Sequence, residues 1–332
     1  MRRNNSRLLC LAVLAMAAAQ PSIAQRTVGA AKDYPAKVIR IVVPYAAGGG
    51  PDVVIRTIAD KIGPNLGQNI VLENRGGGGG MLGTAIVAKS APDGYTLLLQ
   101  LTGAYASYPY FFKNLSYDPA KDLIPVTLVA KNVGYVLIVN PSLPARSVKE
   151  LIALAKANPQ KLNYATAGVG SVMQMAAELF AYMTTVKLTP VHYTGVPAAL
   201  TDVISGQIEL GFPAAPSALP FTHSGRLRVL GITGEKRWSK MPDVPTLDEA
   251  GVKGYKFIGW YGLWFPAGTP AEYVSRIQSE VARAAHDPAV RQRYDEQGLE
   301  GVGSTPEEFA RVIEDEFALN KKLTASMGIV PQ

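Results

Sequence analysis

The stretch Val38-Ile39-Arg40-Ile41-Val42-Val43-Pro44-Tyr45-Ala46-Ala47-Gly48-Gly49-Gly50-Pro51-Asp52 decides how this chain folds. Its first six residues are rich in β-branched side chains and read as a strand. Glycines then break the pattern, and Val53 to Ile62 continue with helical spacing. Pro51 suits the first turn of a helix, where its missing N–H costs nothing. Asp52 suits the same end, because a carboxylate there meets free N–H groups and the positive pole of the helix. The order is strand, glycine loop, helix.

The same plan recurs downstream. Ile70 to Asn74 read as a second strand, followed by Arg75, five glycines and a helix from Met81 to about Ser90. Tyr95 to Gln100 form a third strand that ends at Thr102-Gly103. Alternating strands and helices with short loops predict a largely parallel sheet, and ligands bind such sheets outside the carboxyl ends of the strands. The apolar run from Val126 to Ala130, and then Tyr135 to Val139, reads as a crossing into a second lobe. That lobe repeats the pattern: strand Leu162 to Ala165, loop Thr166-Ala167-Gly168-Val169-Gly170-Ser171, helix Val172 to Met183, strand Val191 to Tyr193, helix Ala198 to Ser205, strand Ile208 to Phe212, and strand Arg228 to Thr233. The chain is expected to return to the first lobe near Phe257 to Trp260 and to be mostly helical beyond Pro270. The expected domains are residues 34–126 for the first part of lobe 1, 127–256 for lobe 2 and 257–332 for the second part of lobe 1.

Residues 1–24 read as a cleavable signal peptide. Arg2, Arg3 and Arg7 precede an apolar run from Leu8 to Ala19, and Ser22-Ile23-Ala24 offers small residues at the cleavage spacing. That run is shorter than the roughly 20 residues a membrane span needs. Export to the periplasm is therefore expected. The one cysteine, Cys10, lies inside the leader, so the mature chain has neither a thiolate nucleophile nor a disulfide nor a cysteine metal site. Losing three arginines also reduces the formal charge of +7, leaving a mildly basic surface that attracts small anions without arguing for nucleic acid. A chain of 332 residues, 48% of them apolar, exceeds one comfortable core and predicts a globular protein of two lobes.

Several chemistries can be set aside. Gly78 to Gly83 match a dinucleotide fingerprint in form, but no acidic residue follows at the end of the next strand, where Gln100 and Thr102 stand. No cofactor is expected. Gly168-Val169-Gly170-Ser171 lacks the nucleophile elbow, and His192, His223 and His286 have no metal-ligand partner at helical spacing. His192 reads as a hydrogen-bonded structural histidine in a strand. Asp52 has two readings, a helix cap or a ligand contact. Thr166 and Ser171 offer hydroxyls where a helix begins, which makes either an ordinary cap or an anion site. Two such loops occur, Pro44 to Asp52 and Thr166 to Ser171, one in each predicted lobe. Facing each other, they would hold the two ends of a dicarboxylate.

These stretches carry a resemblance. Ile41 to Asp52, Glu73 to Gly79, Ala91 to Leu97, Tyr164 to Ser171, Pro242 to Thr246 with Glu249-Ala250-Gly251, and Pro266 to Pro270 are similar to the Bug-type solute receptors of the tripartite tricarboxylate transporter family, across nearly all of the mature chain. The resemblance implies an α/β, type II periplasmic-binding-protein fold, two lobes joined by crossing strands with the cleft between them. It implies capture of a small organic carboxylate by backbone N–H groups, hydroxyls and ordered water, with delivery to membrane permease subunits or, in some members, a sensor protein. A monomer without enzymatic activity is expected. The expected ligand-binding residues are Tyr45, Ala47, Gly48, Gly49, Asp52, Thr102, Thr166, Gly170, Ser171, Tyr193 and Pro213. Two departures matter: Gln174 stands where relatives commonly carry histidine, and Phe212-Pro213-Ala214-Ala215-Pro216 lacks an acidic group that could bind a ligand ammonium. Tyr45 and Tyr193 suit an aromatic or hydrocarbon ligand body.

Overall fold

The computed structural model describes residues 34–326 and 328–331. The expected leader lies outside the described residues. Pro35 onward forms one unit, and the architecture below is that unit's.

The opening segment folds as β1 (Ile39–Val43), α1 (Gly50–Leu66), β2 (Ile70–Asn74), α2 (Met81–Ala88), β3 (Thr96–Leu101), the short helices α3 (Tyr108–Phe111) and α4 (Pro119–Asp122), and the long strand β4 (Leu123–Asn132). The middle segment contains β5 (Val136–Val139), α5 (Val148–Ala157), β6 (Asn163–Thr166), α6 (Val172–Thr184), β7 (Thr189–His192), α7 (Val196–Ser205), β8 (Leu210–Gly211), α8 (Ala215–His223) and β9 (Arg228–Ile232). The chain then returns through β10 (Trp260–Pro266), α9 (Ala271–Ala285), α10 (Pro288–Glu296), β11 (Leu299–Gly301) and α11 (Pro306–Ser326). Two sheets result, in the orders β11-β4-β10-β3-β1-β2 and β7-β6-β8-β5-β9. Each is the centre of one lobe.

The sheets are mixed, which corrects the expectation of largely parallel ones. β2, β1 and β3 run parallel, as do β7, β6 and β8. β10 lies antiparallel between β3 and β4, and β5 antiparallel to β8 and β9. Every antiparallel pair includes a strand that leads into a crossing between the lobes or follows one. The parallel strands keep helices on both faces, so Ile41, Val42 and Val43 are all buried where a one-faced strand would alternate.

The crossing is tightly hydrogen-bonded. Asn132 N–H donates to the Gly259 carbonyl at 2.8 Å, and Gly259 N–H returns a bond to Asn132 Oδ1 at 2.9 Å. Thr233 receives Tyr135 N–H on its hydroxyl at 2.7 Å while that hydroxyl donates to the Phe257 carbonyl at 2.5 Å. These few bonds are the pivot about which the lobes connect. α11 runs from one core to the other: Phe309 and Ile313 pack with Trp260 and Trp264, and Leu323 packs with Phe111 and Phe180.

The glycine run has a packing cause. Gly80 has φ of 104°, and a Cβ there would stand 3.0 Å from both the Tyr45 hydroxyl and Gln100 Nε2. At Gly83 it would stand 2.6 Å from Pro44 Cβ. The glycines let α2 lie directly on the end of β1, a role that needs no nucleotide.

Candidate functional site

The loop after β1 is built around Asp52. Its carboxylate is buried and accepts Gly48 N–H at 2.9 Å, Asn74 Nδ2 at 3.1 Å and Arg56 Nη2 at 3.1 Å. Burial pushes its pKa up, but the Gly48 N–H, the Asn74 amide and the Arg56 guanidinium outweigh it and hold the group below its usual value. Asp52 is thus an ionised anchor that fixes the loop from beneath, with its charge compensated by Arg56. Ala47 and Gly48 are exposed above it, and Gly49 is half-buried. Among the described residues, the N–H groups of Ala46 and Ala47 make no hydrogen bond.

Tyr45 stands under this loop, and its hydroxyl donates to Gln100 Oε1. Gln100 Nε2 donates in turn to Thr84 Oγ1 at 2.7 Å, and Thr84 to the Gly80 carbonyl at 2.8 Å. A phenol has one proton. Tyr45 therefore presents its ring and lone pairs, and has no proton left for a carboxylate. Tyr193 is in the same position, since its hydroxyl donates to Asp202 Oδ2 at 2.6 Å.

Thr102 is buried, and its hydroxyl is committed on both sides, accepting Trp260 N–H at 2.8 Å and donating to the Trp260 carbonyl at 3.3 Å. It splices β3 to β10. Pro213 is likewise buried, with its carbonyl accepting Val136 N–H at 2.9 Å. The structure gives both residues framework duties and brings neither hydroxyl nor carbonyl to an open surface.

In the other lobe, the loop between β6 and α6 has the expected glycine geometry. Ser171 is the N-cap of α6 and accepts Gln174 N–H at 3.4 Å. Gln174 reciprocates, its Oε1 accepting Gly170 N–H at 2.8 Å. This is a variant of the capping box, in which Gln174 takes the N–H of Gly170 rather than that of Ser171, and its signal is the spacing Ser171-x-x-Gln174. Thr166 is buried, donates to the Gly168 carbonyl at 2.9 Å, and accepts Gly168 N–H at 3.0 Å. The Gly170 carbonyl accepts Ser107 Oγ at 3.2 Å, which ties this loop to the turn between β3 and α3. Among the described residues, Ala167 and Val169 N–H make no hydrogen bond. His192 is exposed at the end of β7, yet its Nδ1 lies 3.2 Å from Thr166 Oγ1.

Both loops follow parallel strands at their carboxyl ends, and neither contains a charged side chain apart from the compensated Asp52. The arrangement supplies N–H donors, the Ser171 hydroxyl and a helix N-terminus, a donor set that suits an anion. A hollow of about 540 Å³ elsewhere, lined by Lys131, Trp238, His286 and Arg291, shares no residue with either loop. Among the described residues, no group of three or more His, Cys, Asp or Glu side chains is placed to hold a metal.

The sequence and fold match a known family. Residues 54–329 match the model of the tripartite tricarboxylate transporter family receptor, and the chain belongs to that family. It is 34% identical to protein BugT of Bordetella pertussis over 288 residues, 86% of this chain and 88% of that protein. Among solved structures, R. palustris Rpa4515 with adipate is similar at a TM-score of 0.78 and 35% identity, covering 90% of this chain and all of that one. MatC from Rhodopseudomonas palustris with bound malate is similar at a TM-score of 0.73 and 31% identity, covering 87% of this chain and 99% of that one. The fold is the two-lobed α/β fold of periplasmic solute-binding proteins, and the family is one of receptors.

Proposed function

We propose that this protein captures a small organic carboxylate between its two lobes, outside the cytoplasm, and presents it to a membrane permease of the tripartite tricarboxylate type. The observation that carries the reading is the pair of loops at the carboxyl ends of β1 and β6, one per lobe, in which the N–H groups of Ala46, Ala47, Ala167 and Val169 make no protein hydrogen bond among the described residues and no acid is uncompensated. Ala46 and Ala47 would contribute N–H groups and Tyr45 a ring face, while Ser171 and the loop from Thr166 to Gly170 would hold the second end; the N–H groups of Gly48 and Gly49 are engaged by Asp52 and by the Ala46 carbonyl. Asp52, Thr102, Tyr193 and Pro213 would hold the frame. Adipate and malate, bound by the two R. palustris relatives, are both dicarboxylates and support a short dicarboxylate within the expected mono- or dicarboxylate class.

Binding to the folded state alone stabilises it by RT ln(1 + [L]/Kd), about 2.7 kcal/mol at 100 Kd. A thermal-shift screen of the chain without residues 1–24 should show stabilisation by mono- or dicarboxylates and none by sugars or cationic amino acids. A screen in which only sugars or nucleotides raise the melting temperature overturns the assignment.

A further inference from the structure

Tyr261 is the second residue of β10 and pairs with Leu101, the last residue of β3. The register that sets Val42 beside Leu98 carries Leu101 past the end of β1, level with the loop that follows it. Tyr261 therefore stands at the carboxyl edge of the sheet, where the lobe 1 loop begins. Neighbouring residues of a strand point to opposite faces. Gln100, across from Gly262, turns towards Thr84 of α2 and the Tyr45 hydroxyl, so Tyr261 turns to the other face, under α1. A Cβ on Gly50, the first residue of α1, would stand 3.5 Å from the Tyr261 hydroxyl.

That hydroxyl is unspent. Other tyrosines near this loop have given their one proton away: Tyr45 to Gln100, Tyr108 to the Gly79 carbonyl and Tyr294 to the Val54 carbonyl. Tyr261 is half-buried, and its hydroxyl makes no hydrogen bond among the described residues. Unlike the Tyr117 hydroxyl, which is buried without a partner, it is not sealed from water. Desolvation raises its pKa to about 12, so it keeps its proton at neutral pH. Beside it α1 opens without a side-chain cap, and the Gly50 N–H also makes no hydrogen bond among the described residues. Asp52 in the same turn does not compete for these protons, being held by Gly48, Asn74 and Arg56.

We infer that Tyr261 is the specificity-determining residue at the lobe 1 end of the cleft, its hydroxyl donating to one carboxylate of a dicarboxylate and favouring that ligand over a monocarboxylate of equal length. The assignment rests on the carboxylate reading above. Ser171 offers one side-chain proton from lobe 2, and Tyr261 offers its counterpart from lobe 1. A dicarboxylate satisfies both. A monocarboxylate held by Ser171 brings a methyl end to Tyr261, strips water from the phenol and gives it no acceptor, which costs affinity. Tyr45, whose proton is committed to Gln100, cannot make this distinction.

The test compares adipate with hexanoate, acids of equal chain length that differ by one carboxylate. Both are titrated calorimetrically into the wild-type and Tyr261→Phe chains without residues 1–24, at neutral pH, where the carboxyl groups are ionised. Tyr261→Phe should weaken adipate binding by roughly 10- to 150-fold, the effect of one charge-assisted hydrogen bond, and leave hexanoate binding close to wild type. The preference for adipate should shrink by the same factor. Urea denaturation separates this from a structural role. Tyr261→Phe removes a hydroxyl that has no protein partner and should keep wild-type stability, whereas Tyr294→Phe should lose stability and keep adipate affinity. A wild-type preference for hexanoate, adipate binding unchanged in Tyr261→Phe, an equal loss for both acids, or a loss of stability matching that of Tyr294→Phe overturns the role of Tyr261 and leaves carboxylate capture standing. Failure of adipate, hexanoate and malate alike to bind the wild-type chain overturns both.

Discussion

Removing one oxygen from the lobe 2 loop, by Ser171→Ala, should weaken carboxylate binding far more than it weakens the fold. The structural cost is small for a stated reason. Ser171 Oγ accepts Gln174 N–H at 3.4 Å, the long end of hydrogen-bond range, and the stronger half of the capping box, Gly170 N–H to Gln174 Oε1 at 2.8 Å, survives the change. The lost cap is therefore worth about 1 kcal/mol or less. Accepting that bond does not consume the hydroxyl proton, which can turn from Thr166 Oγ1, 3.3 Å away, to a ligand, so capping and ligand donation are compatible roles of one oxygen. A charge-assisted bond from that proton to a carboxylate is worth roughly 1.5 to 3 kcal/mol, or about 10- to 150-fold in affinity. Urea denaturation and calorimetric titration on the same variant give both numbers. If stability falls by the capping amount while affinity stays at the wild-type value, Ser171 is a cap alone, and the donor account of this loop is wrong.

Other positions give sharper contrasts. Thr102→Val strands a buried Trp260 N–H and should cost about 1 to 3 kcal/mol of stability by urea denaturation, with affinity unchanged; a loss of affinity at normal stability would return Thr102 to the ligand surface. Burial pushes Glu316 in α11 up to about 7, above the usual carboxyl value. Because the folded state then holds the proton longer than the unfolded state, stability attributable to this group is full at low pH and is lost as pH climbs from the ordinary carboxyl range towards 7. Glu316→Gln should remove that slope and raise stability above pH 7 by about 1 to 2 kcal/mol, after discounting for its partial exposure. Parallel pH profiles of the melting temperature for the two proteins would refute it.

The parts of this fold that could be read from residues alone are those whose signals are local. β1, its glycine loop and α1 carry strand propensity, backbone breakers and a helix start within a single stretch, and the helix expected from Val172 to Met183 forms as Val172–Thr184. α8 was not legible, because Pro216 and Pro220 read as breakers, whereas Pro216 occupies the first turn, where no N–H is needed. The expected strand from Ile208 to Phe212 shrinks to Leu210–Gly211, and β11 went unseen, since three residues pair with β4 only after the chain has returned. Strand direction at the crossing depends on how segments return, which no periodicity encodes. The same divide runs through the site. Both loops were visible in the glycines and hydroxyls, but what each hydroxyl does was not. Tyr45, Thr102 and Tyr193 are satisfied by Gln100, Trp260 and Asp202, and the first two of those partners lie far away in sequence. His192, an ordinary strand residue by pattern, gains its place beside Thr166 only through the parallel register of β6 and β7.

Carboxylate capture between the lobes is tested most directly by a crystal structure of the chain without residues 1–24 in complex with whichever acid most raises its melting temperature. One carboxylate oxygen should lie about 3 Å from Ser171 Oγ, with the opposite lobe's Ala46 or Ala47 N–H at a similar distance from another ligand oxygen. A ligand bound instead in the hollow lined by Lys131 and Arg291, or touching only one of the two loops with the lobes fully closed, would contradict the account.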